Sequence, residues 1–290
     1  MKCIVTGGAG FIGSHIAERL IKDGKEVVII DDLSAGKESN IPEGARFIKA
    51  NVINIASYQN ELNDTWAVFH NAASKKNICE YDPDYDLAVN AGGTHSLVRA
   101  CQKAGVSHFI HASTGSVYGE VDGVITEETP TNPVSFYGVS KLAGEKYVSL
   151  YNGKGMNITI LRYFHVYGER QEDDPKLGGV IAVFKRQAAE GGPITLHGDG
   201  SQKRLFTHVG DVVEANIKCT QIRHDNGEVY NCASDRRFSV MYVAGKVIRG
   251  AGHPVLIDYG PSLPGDIYNF EIDNSKIKEE LRMEFRPFKI

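Results

Sequence analysis

The chain lacks the features that mark membrane proteins, nucleic-acid-binding proteins and cysteine-stabilised proteins. No apolar run is long enough to span a bilayer, and no internal repeat or low-complexity segment is visible. The formal net charge is −4, with 32 Lys and Arg against 36 Asp and Glu, whereas nucleic-acid-binding domains usually carry a basic excess. The five cysteines form no CxxC pair and have no metal-ligand spacing, so we expect reduced, mostly buried thiols and no metal site.

The first residues enter a predicted strand almost at once, which leaves no room for a signal peptide. Together these absences predict a soluble, cytoplasmic protein with no nucleic-acid partner and no membrane partner. A length of 290 residues suits one large domain or two modest ones.

A glycine-rich turn joins the first predicted strand to the first predicted helix. The apolar run at residues 3–5 is followed by glycines at positions 7, 10 and 13, and Ile12, Ile16 and Leu20 then recur on one helical face. Glycines in such a turn let backbone N–H groups approach a diphosphate at the positive end of the helix. Ordinary turns also contain glycine, but the flanking strand and helix favour a nucleotide site.

An acidic pair ends the second predicted strand, residues 26–30. Asp31 and Asp32 lie roughly 20 residues beyond the glycine turn, where a carboxylate accepts hydrogen bonds from the ribose hydroxyls of adenosine. A carboxylate there repels a 2′-phosphate, so NAD is favoured over NADP, and Asp31 is the better candidate for the ribose. The alternative is a loop that merely caps the strand.

Strands and helices alternate along the first 165 residues. Further strands are predicted at 46–50, 67–70, 108–113 and 157–161, and helices at 55–63, at 84–104 and from 133 onward. In the helix at 84–104 we expect Leu87, Leu97, Val98 and Cys101 to face inward. The alternation predicts an α/β fold: a doubly wound (Rossmann) parallel sheet with a smaller α/β substrate-binding lobe at the C-terminus. We assign residues 1–165, with 206–235 returning, to the cofactor-binding domain and residues 166–205 and 236–290 to the lobe.

Ligands of such a sheet bind beyond the carboxyl ends of its strands. There the small residues 71–73 would let the backbone lie against a flat cofactor, and Asn51 could accept a hydrogen bond from an adenine amino group. The polar, glycine-containing residues 169–179 predict a loop over the site. Asp211 is expected to cap the helix that contains Val212 and Ile217.

Three residues suggest acid–base chemistry. Tyr137 and Lys141 are four positions apart on a predicted helix and therefore lie on one face. An ammonium close to a phenol favours the phenolate, so we expect Lys141 to lower the pKa of Tyr137. Thr114 follows a predicted strand at the same edge of the sheet. The alternatives are an ordinary helix surface for the pair and a local backbone hydrogen bond for the threonine.

Two basic residues, Lys203 and Arg204, are candidates for binding an anionic ligand. A solvated loop charge is the alternative.

These motifs together resemble the extended short-chain dehydrogenase/reductases, specifically the NAD-dependent nucleotide-sugar epimerase/dehydratase group, over nearly the whole chain. Residues 6–13 look like the NAD loop of that family, residues 31–36 like its adenosine-binding segment, and residues 161–168 and 198–204 like its substrate-side signatures. Thr114, Tyr137 and Lys141 match its catalytic Ser/Thr, Tyr and Lys. The dehydratases carry an Asp-Glu pair after the threonine and the related decarboxylases keep a glutamate. This chain has Gly115 and Ser116, so the resemblance is closest to the UDP-hexose 4-epimerases.

The resemblance implies NAD as the cofactor and a small-molecule nucleotide sugar, a UDP-hexose, as the substrate. The implied cofactor-binding residues are Gly7, Gly10, Phe11, Ile12, Asp31, Asp32, Leu33, Ser34, Gly36, Asn51, Val52, Asn71, Ala72, Ala73, Lys75, Asn90, Ala112, Tyr137, Lys141, Tyr163 and His165. The implied substrate-binding residues are Lys75, Thr114, Tyr137, His165, Val180, Arg204 and Phe270.

The implied activity is inversion of C4 of the sugar through a 4-keto intermediate, with Tyr137 taking the proton of the 4-hydroxyl. A bulky Phe270 would disfavour an N-acetyl group, which points to UDP-galactose and UDP-glucose. A homodimer that packs residues 84–104 and 133–150 of two copies is also implied.

The chain departs from the family pattern at several positions. Asn51 stands where aspartate is usual, His165 where asparagine is usual, and Leu205 where an aspartate commonly follows the arginine. Leu263 replaces a diphosphate-binding arginine, which leaves Arg204 with more of the charge neutralisation. Two other functions stay open: a nucleotide-sugar reductase or dehydrogenase, and a non-catalytic NAD-binding regulator.

Overall fold

A seven-stranded sheet forms the centre of the molecule, of which a computed structural model describes residues 1–74, 76–174, 178–224, 226–262 and 271–290. Every pairing in the sheet is parallel, with Ile4 of the first strand level with Val28 on one side and Val68 on the other. Across the sheet the strands run β10 (Glu228–Cys232), β7 (Asn157–Tyr163), β5 (His108–Thr114), β4 (Thr65–His70), β1 (Lys2–Thr6), β2 (Glu26–Asp31) and β3 (Arg46–Lys49).

Helices cover both faces of this sheet, which is why its strands are apolar on both sides. In β1, Cys3 and Val5 pack toward one layer, and Ile4 packs toward the other. The first layer contains α1 (Phe11–Lys22), α7 (Val209–Cys219) and α9 (Ser275–Glu280), and the second contains α4 (Thr94–Ala104) and α5 (Phe136–Ser149). The predicted α/β class with a doubly wound parallel sheet is confirmed.

A smaller group of elements packs around its own apolar core, which includes Phe184, Leu196 and Val243. It contains α6 (Val180–Ala189), α8 (Val240–Gly250), the parallel pair β8 (Ile194–His197) and β12 (Ile257–Gly260), and the antiparallel pair β9 (Lys203–Leu205) and β11 (Arg237–Ser239). The short strands β6 (Val124–Ile125) and β13 (Glu271–Ile272) pair in parallel. None of the helices in the described ranges is both long enough and apolar enough to cross a bilayer.

The predicted helix at 55–63 is wrong. Two short 3₁₀ turns, Ile55–Ser57 and Gln59–Leu62, lie there, and Tyr58 and Leu62 fill the core beneath α4. The side chain of Tyr58 also donates a hydrogen bond to the carbonyl of Val52, which fixes the segment without a regular helix. Tertiary burial therefore outweighs the weak local preference for a helix.

The predicted helix at 84–104 is interrupted, and its inner face includes Leu97, Val98 and Cys101 as expected, but not Leu87. It consists of α3 (Pro83–Leu87), a π-helical segment (Ala88–Gly93) and α4. Leu87, expected inside, is 53% exposed, whereas Asp86 is buried. The buried face follows positions 86, 90, 94, 97 and 101, which is regular helical spacing. The positions at 86, 90 and 94 are polar, so a search for apolar residues missed the first part of the buried face and placed only Leu87 wrongly.

The expected cap of α7 is also corrected. His208 is the N-cap and accepts a hydrogen bond from the backbone N–H of Gly210. Asp211 lies within the first helical turn, where its carboxylate accepts from the backbone N–H and the guanidinium of Arg286. The carboxylate therefore fastens the C-terminal segment to α7.

Candidate active site

The glycine turn has the geometry that a dinucleotide diphosphate requires. Gly7 has φ +67° and donates its N–H to the carbonyl of Ile30, 2.8 Å away. A Cβ on Gly13 would lie 2.2 Å from the carbonyl oxygen of Gly7, so only glycine fits there. Gly10 is the N-cap of α1 and offers no capping side chain. The first N–H groups of α1 are therefore available to an anion.

A cavity of about 400 Å³ opens beside this turn, at the carboxyl ends of the parallel strands. Its walls come from the glycine turn, from the residues that follow β2, β3 and β4, from the end of β5 and from the first turns of α5. Seventeen predicted cofactor residues line it: Gly7, Gly10, Phe11, Ile12, Asp31, Asp32, Ser34, Gly36, Asn51, Val52, Asn71, Ala72, Ala73, Ala112, Tyr137, Lys141 and Tyr163.

The acidic pair after β2 is held by the backbone at one end of the cavity. Asp31 accepts hydrogen bonds from the N–H groups of Ala9 (3.0 Å) and Leu33 (2.8 Å). Burial raises the pKa of Asp31, and these two hydrogen bonds act against the rise. Asp32 accepts from the amide nitrogen of Asn51 at 2.6 Å. The pair thus links the glycine turn to the residues after β3.

The candidate acid–base residues come together at the opposite end, where β5 meets α5. Lys141 is buried, and its Nζ donates to the carbonyl of Ala112 at 2.6 Å. Tyr137 lies one helical turn before it and hydrogen-bonds to Thr114. Thr114 ends β5 and accepts from the N–H of Ser116, so its hydroxyl is oriented by the turn that follows. Strand and helix together therefore fix all three groups.

The expected direction of the tyrosine pKa is wrong for the chain by itself. Burial raises the pKa of the Tyr137 phenol, the nearby Cys79 and Asp86 raise it further, and the hydrogen bond to Thr114 acts in the opposite direction. Burial also lowers the pKa of Lys141 to about 8, although Glu145 and Asp86 oppose that change. Burial is the largest cause of both shifts, and neither direction comes from the other residue of the pair.

A buried ion pair supports this end of the site. Arg162 of β7 donates from Nε and Nη2 to the two carboxylate oxygens of Glu145 on α5, at 3.0 and 2.7 Å. Ser113, next to the catalytic candidate on β5, also donates to Glu145, and Arg162 donates to the hydroxyl of Tyr118. Both charges are therefore paired and hydrogen-bonded, as buried charges need to be. The pair fixes α5 against the sheet.

The residues present fit NAD. The glycine turn leaves room for the diphosphate, the acidic pair lies where the ribose of adenosine belongs, and the apolar walls suit flat rings. The side-chain amide of Asn71 is buried in the cavity wall and has no hydrogen-bond partner within the described ranges. A bound polar molecule would satisfy it.

The model of the NAD-dependent epimerase/dehydratase family matches residues 3–233. The chain belongs to this family. A putative UDP-glucose 4-epimerase of Methanocaldococcus jannaschii is 36% identical over 281 residues, which covers 94% of this chain and 90% of that protein. A UDP-N-acetyl-alpha-D-glucosaminuronate decarboxylase of Bacillus cytotoxicus is 35% identical, over 84% of this chain and 78% of that protein.

A solved structure, the UDP-glucose 4-epimerase of Thermotoga maritima with UDP-glucose, superimposes with a TM-score of 0.92 at 34% identity. The match covers 99% of this chain and 94% of that one. The resemblance to the extended short-chain dehydrogenase/reductases is confirmed, and the cofactor is NAD. The protein is thus an NAD-dependent nucleotide-sugar enzyme of the epimerase/dehydratase family.

Several residues that the sequence assigns to cofactor or substrate binding do not line the cavity. Leu33 has φ +63° and helps to hold Asp31 through its N–H. Asn90 is buried behind the wall, where its amide bonds to Ser74, Asp86 and Ser140. Thr114, His165, Val180 and Arg204 also stand outside the lining residues, Thr114 reaching the site through its bond to Tyr137. Lys75, Phe270 and the segment that contains Leu263 lie outside the described residues.

Sequence reasoning missed other residues of the wall. Ser74 and Ser113 directly follow predicted positions. Ile78 and Tyr85 come from the short helices before the π-helical segment, and Lys37 and Asn40 come from the loop after β2. Arg170 and Glu172 also line the cavity, and their side chains contact α1 and the loop after β2. Arg170 bonds to Ser14 and Glu18 of α1, and Glu172 forms an ion pair with Lys37. The only signal for them was the expected loop over the site at 169–179.

Proposed function

We propose that the protein inverts C4 of a UDP-hexose, interconverting UDP-galactose and UDP-glucose through a 4-keto sugar. The observation that carries the proposal is the convergence of Thr114, Tyr137 and Lys141 beside the dinucleotide cavity. Sequence relatives that are named as UDP-glucose 4-epimerases support it.

In this proposal each residue has one task. Tyr137 takes the proton from the 4-hydroxyl of the sugar and later returns it, as a general base and then a general acid. Thr114 holds the same oxygen through its hydroxyl. Lys141, one turn further along α5, supplies positive charge that favours the ionised phenol. NAD, when bound, supplies the hydride acceptor at C4 and gives the hydride back.

The turn after Thr114 favours epimerisation over elimination or decarboxylation. A Cβ on Gly115 would lie 2.2 Å from the ring of Phe164, so a carboxylate side chain does not fit there. Ser116 follows, and its N–H bonds to the threonine hydroxyl. No acid stands in this turn to help expel water from the sugar or to assist loss of a carboxyl group.

Incubation of the protein with UDP-galactose, without added reductant, tests the proposal. We expect UDP-glucose to accumulate without net consumption of NAD, and Tyr137→Phe to abolish turnover while NAD stays bound. Net consumption of external NADH or NAD on each turnover would instead identify a reductase or dehydrogenase. A protein that binds NAD but no UDP-sugar would be a regulator. Tests with UDP-N-acetylated sugars and UDP-glucuronic acid would define the substrate.

We further propose a homodimer formed through α5 and its neighbours. Phe136, Val139, Tyr147 and Leu150 are exposed apolar residues of α5 and its C-terminal end, and their spacing places them along one side. An exposed apolar stripe of this kind is typical of an interface. Analytical ultracentrifugation should show a dimer that Val139→Lys dissociates. The same change at exposed Leu256, in the smaller lobe, should leave it intact.

A further inference from the structure

A buried carboxylate lies behind the catalytic candidates and takes no part in the proposed proton and hydride transfers. Asp86 lies within the last turn of α3, on its inner side, and is 1% exposed. Its Oδ1 accepts from the thiol of Cys79 at 2.7 Å and from the amide nitrogen of Asn90 at 2.6 Å. Both donors are neutral, so these hydrogen bonds satisfy the oxygen without cancelling the charge.

Asn90 connects this carboxylate to two walls of the active site. Its amide nitrogen also bonds to the hydroxyl of Ser140, which lies between Tyr137 and Lys141 on α5. Its oxygen accepts from the backbone N–H of Ser74, which lines the cofactor cavity. Asp86 therefore holds the amide that joins the turn after β4 to the catalytic helix.

The charge of Asp86 also acts on both titratable candidates. It raises the pKa of Tyr137, to which burial and the thiol of Cys79 contribute more, and it raises the pKa of Lys141 against the effect of burial. Glu145 acts on Lys141 in the same direction, but the guanidinium of Arg162 binds both of its oxygens. Among the described residues, the hydrogen-bond donors of Asp86 are all neutral, unlike the guanidinium that binds Glu145.

Lys141 also acts on two histidines in the adjoining core. Burial and the charge of Lys141 lower the pKa of both His70 and His111, so both are neutral near pH 7. Cys79 keeps its proton because burial and Asp86 raise the pKa of its thiol. Within the described ranges, the charges that act on Lys141 are therefore those of the paired Glu145 and of Asp86.

We propose that Asp86 is a positioning residue of the active site: its carboxylate orients Asn90, which joins the turn after β4 to the catalytic helix, and its negative charge acts on Tyr137 and Lys141. The proposal rests on the proposed function in that Tyr137 and Lys141 are the acid–base pair. The proposal goes beyond that function because it gives the buried carboxylate control over the pH range in which Tyr137 and Lys141 work.

Asp86→Asn tests the charge with little change in shape. Both hydrogen bonds go to a single oxygen, Oδ1, which the amide oxygen of asparagine can replace. Without the negative charge the phenol ionises more easily and the ammonium loses its proton more easily. We expect both limbs of the pH–activity profile to move to lower pH, by on the order of one unit.

A spectroscopic titration separates this proposal from the proposed function. The near-ultraviolet absorbance of ionised tyrosine, measured on the NAD-bound protein against Tyr137→Phe, reports the phenol without any turnover. Asp86→Asn should lower the midpoint of this ionisation, whether or not the protein epimerises UDP-galactose. Failure of the enzymatic assay alone would therefore contradict the epimerase assignment and leave this inference standing.

Two further variants serve as controls. Asp84→Asn removes an exposed carboxylate from the same short helix and should leave the midpoint unchanged. Asp86→Glu keeps the charge and should keep the midpoint near the original value, even if the longer side chain lowers stability. An unchanged or raised midpoint in Asp86→Asn, or an equal shift in Asp84→Asn, would overturn the proposal. If Asp86→Asn does not fold, a large downward shift in Asp86→Glu would overturn it instead.

Discussion

Two buried histidines should make the stability of this protein depend on pH, and His111→Leu tests this directly. His70 and His111 lie side by side on β4 and β5, with ring centroids 5.3 Å apart, and both are fully buried. Burial lowers the pKa of His70 to about 3 and that of His111 well below its usual value. Neither nitrogen of His111 has a hydrogen-bond partner within the described ranges.

The direction of this pH dependence follows from the number of protons that the folded and the unfolded chain bind. Below a pH of about 6.5 the unfolded chain protonates each histidine, whereas the folded chain keeps both neutral. Folding is therefore weakened as pH falls, by about 1.4 kcal/mol per pH unit for each histidine. Between pH 6 and pH 4.5 one such histidine costs about 2 kcal/mol of unfolding free energy.

Urea unfolding of the wild-type protein and His111→Leu across this pH range is the assay. The variant should lose about 2 kcal/mol less than the wild type between pH 6 and pH 4.5. At pH 8 it should be at least as stable, because it no longer buries polar nitrogens without partners. His253→Leu, at an exposed position, is the matched control and should change neither value. Equal pH dependence in His111→Leu and wild type would refute the reasoning.

The cofactor cavity gives three further predictions. Gly13→Ala should weaken NAD binding by about tenfold or more in isothermal titration, since its Cβ would meet the carbonyl of Gly7, whereas Gly250→Ala, with open space around it, should not. Asp31→Asn should narrow the preference for NAD over NADP by about tenfold, through loss of charge repulsion, and an unchanged ratio of dissociation constants would contradict the ribose assignment. Arg170→Leu should speed NAD release in stopped-flow fluorescence, because it removes the contacts that join the cavity loop to α1. The control is Arg186→Leu, because the ion-pair partner of Arg186 lies only four residues further along the chain. Equal release rates in the two variants would show that the Arg170 contacts do not retain NAD.

Local rules explain why much of the cofactor half of the site could be predicted. A strand that runs into Gly7, Gly10 and Gly13 and then into an amphipathic helix has few alternative conformations, because φ +67° and close backbone contacts need glycine. The acidic pair after β2 follows from the same motif. In a parallel sheet, the residues that follow neighbouring strands share one edge, so 71–73 and Ala112 could be placed at the cavity as well.

Properties that depend on packing could not be predicted in this way. The inward turn of Asp86 is held by Cys79 of α2 (Lys76–Cys79) and by Asn90, whose own partners lie on α5 and in the turn after β4, while Leu87 turns outward. Arg170 reaches α1 from a loop more than a hundred residues away in sequence. Such contacts carry no local signal, because they link segments whose separation is set only by the fold.

The order of residues by itself determined the alternating architecture, the glycine turn and the presence of a tyrosine and a lysine on one helical face. Only the tertiary structure decided the electrostatics of that face. Spacing along a helix shows which charges are neighbours, but burial sets what each charge costs. For Tyr137 and Lys141 that cost is the largest influence on each pKa, and the buried Asp86 acts on both.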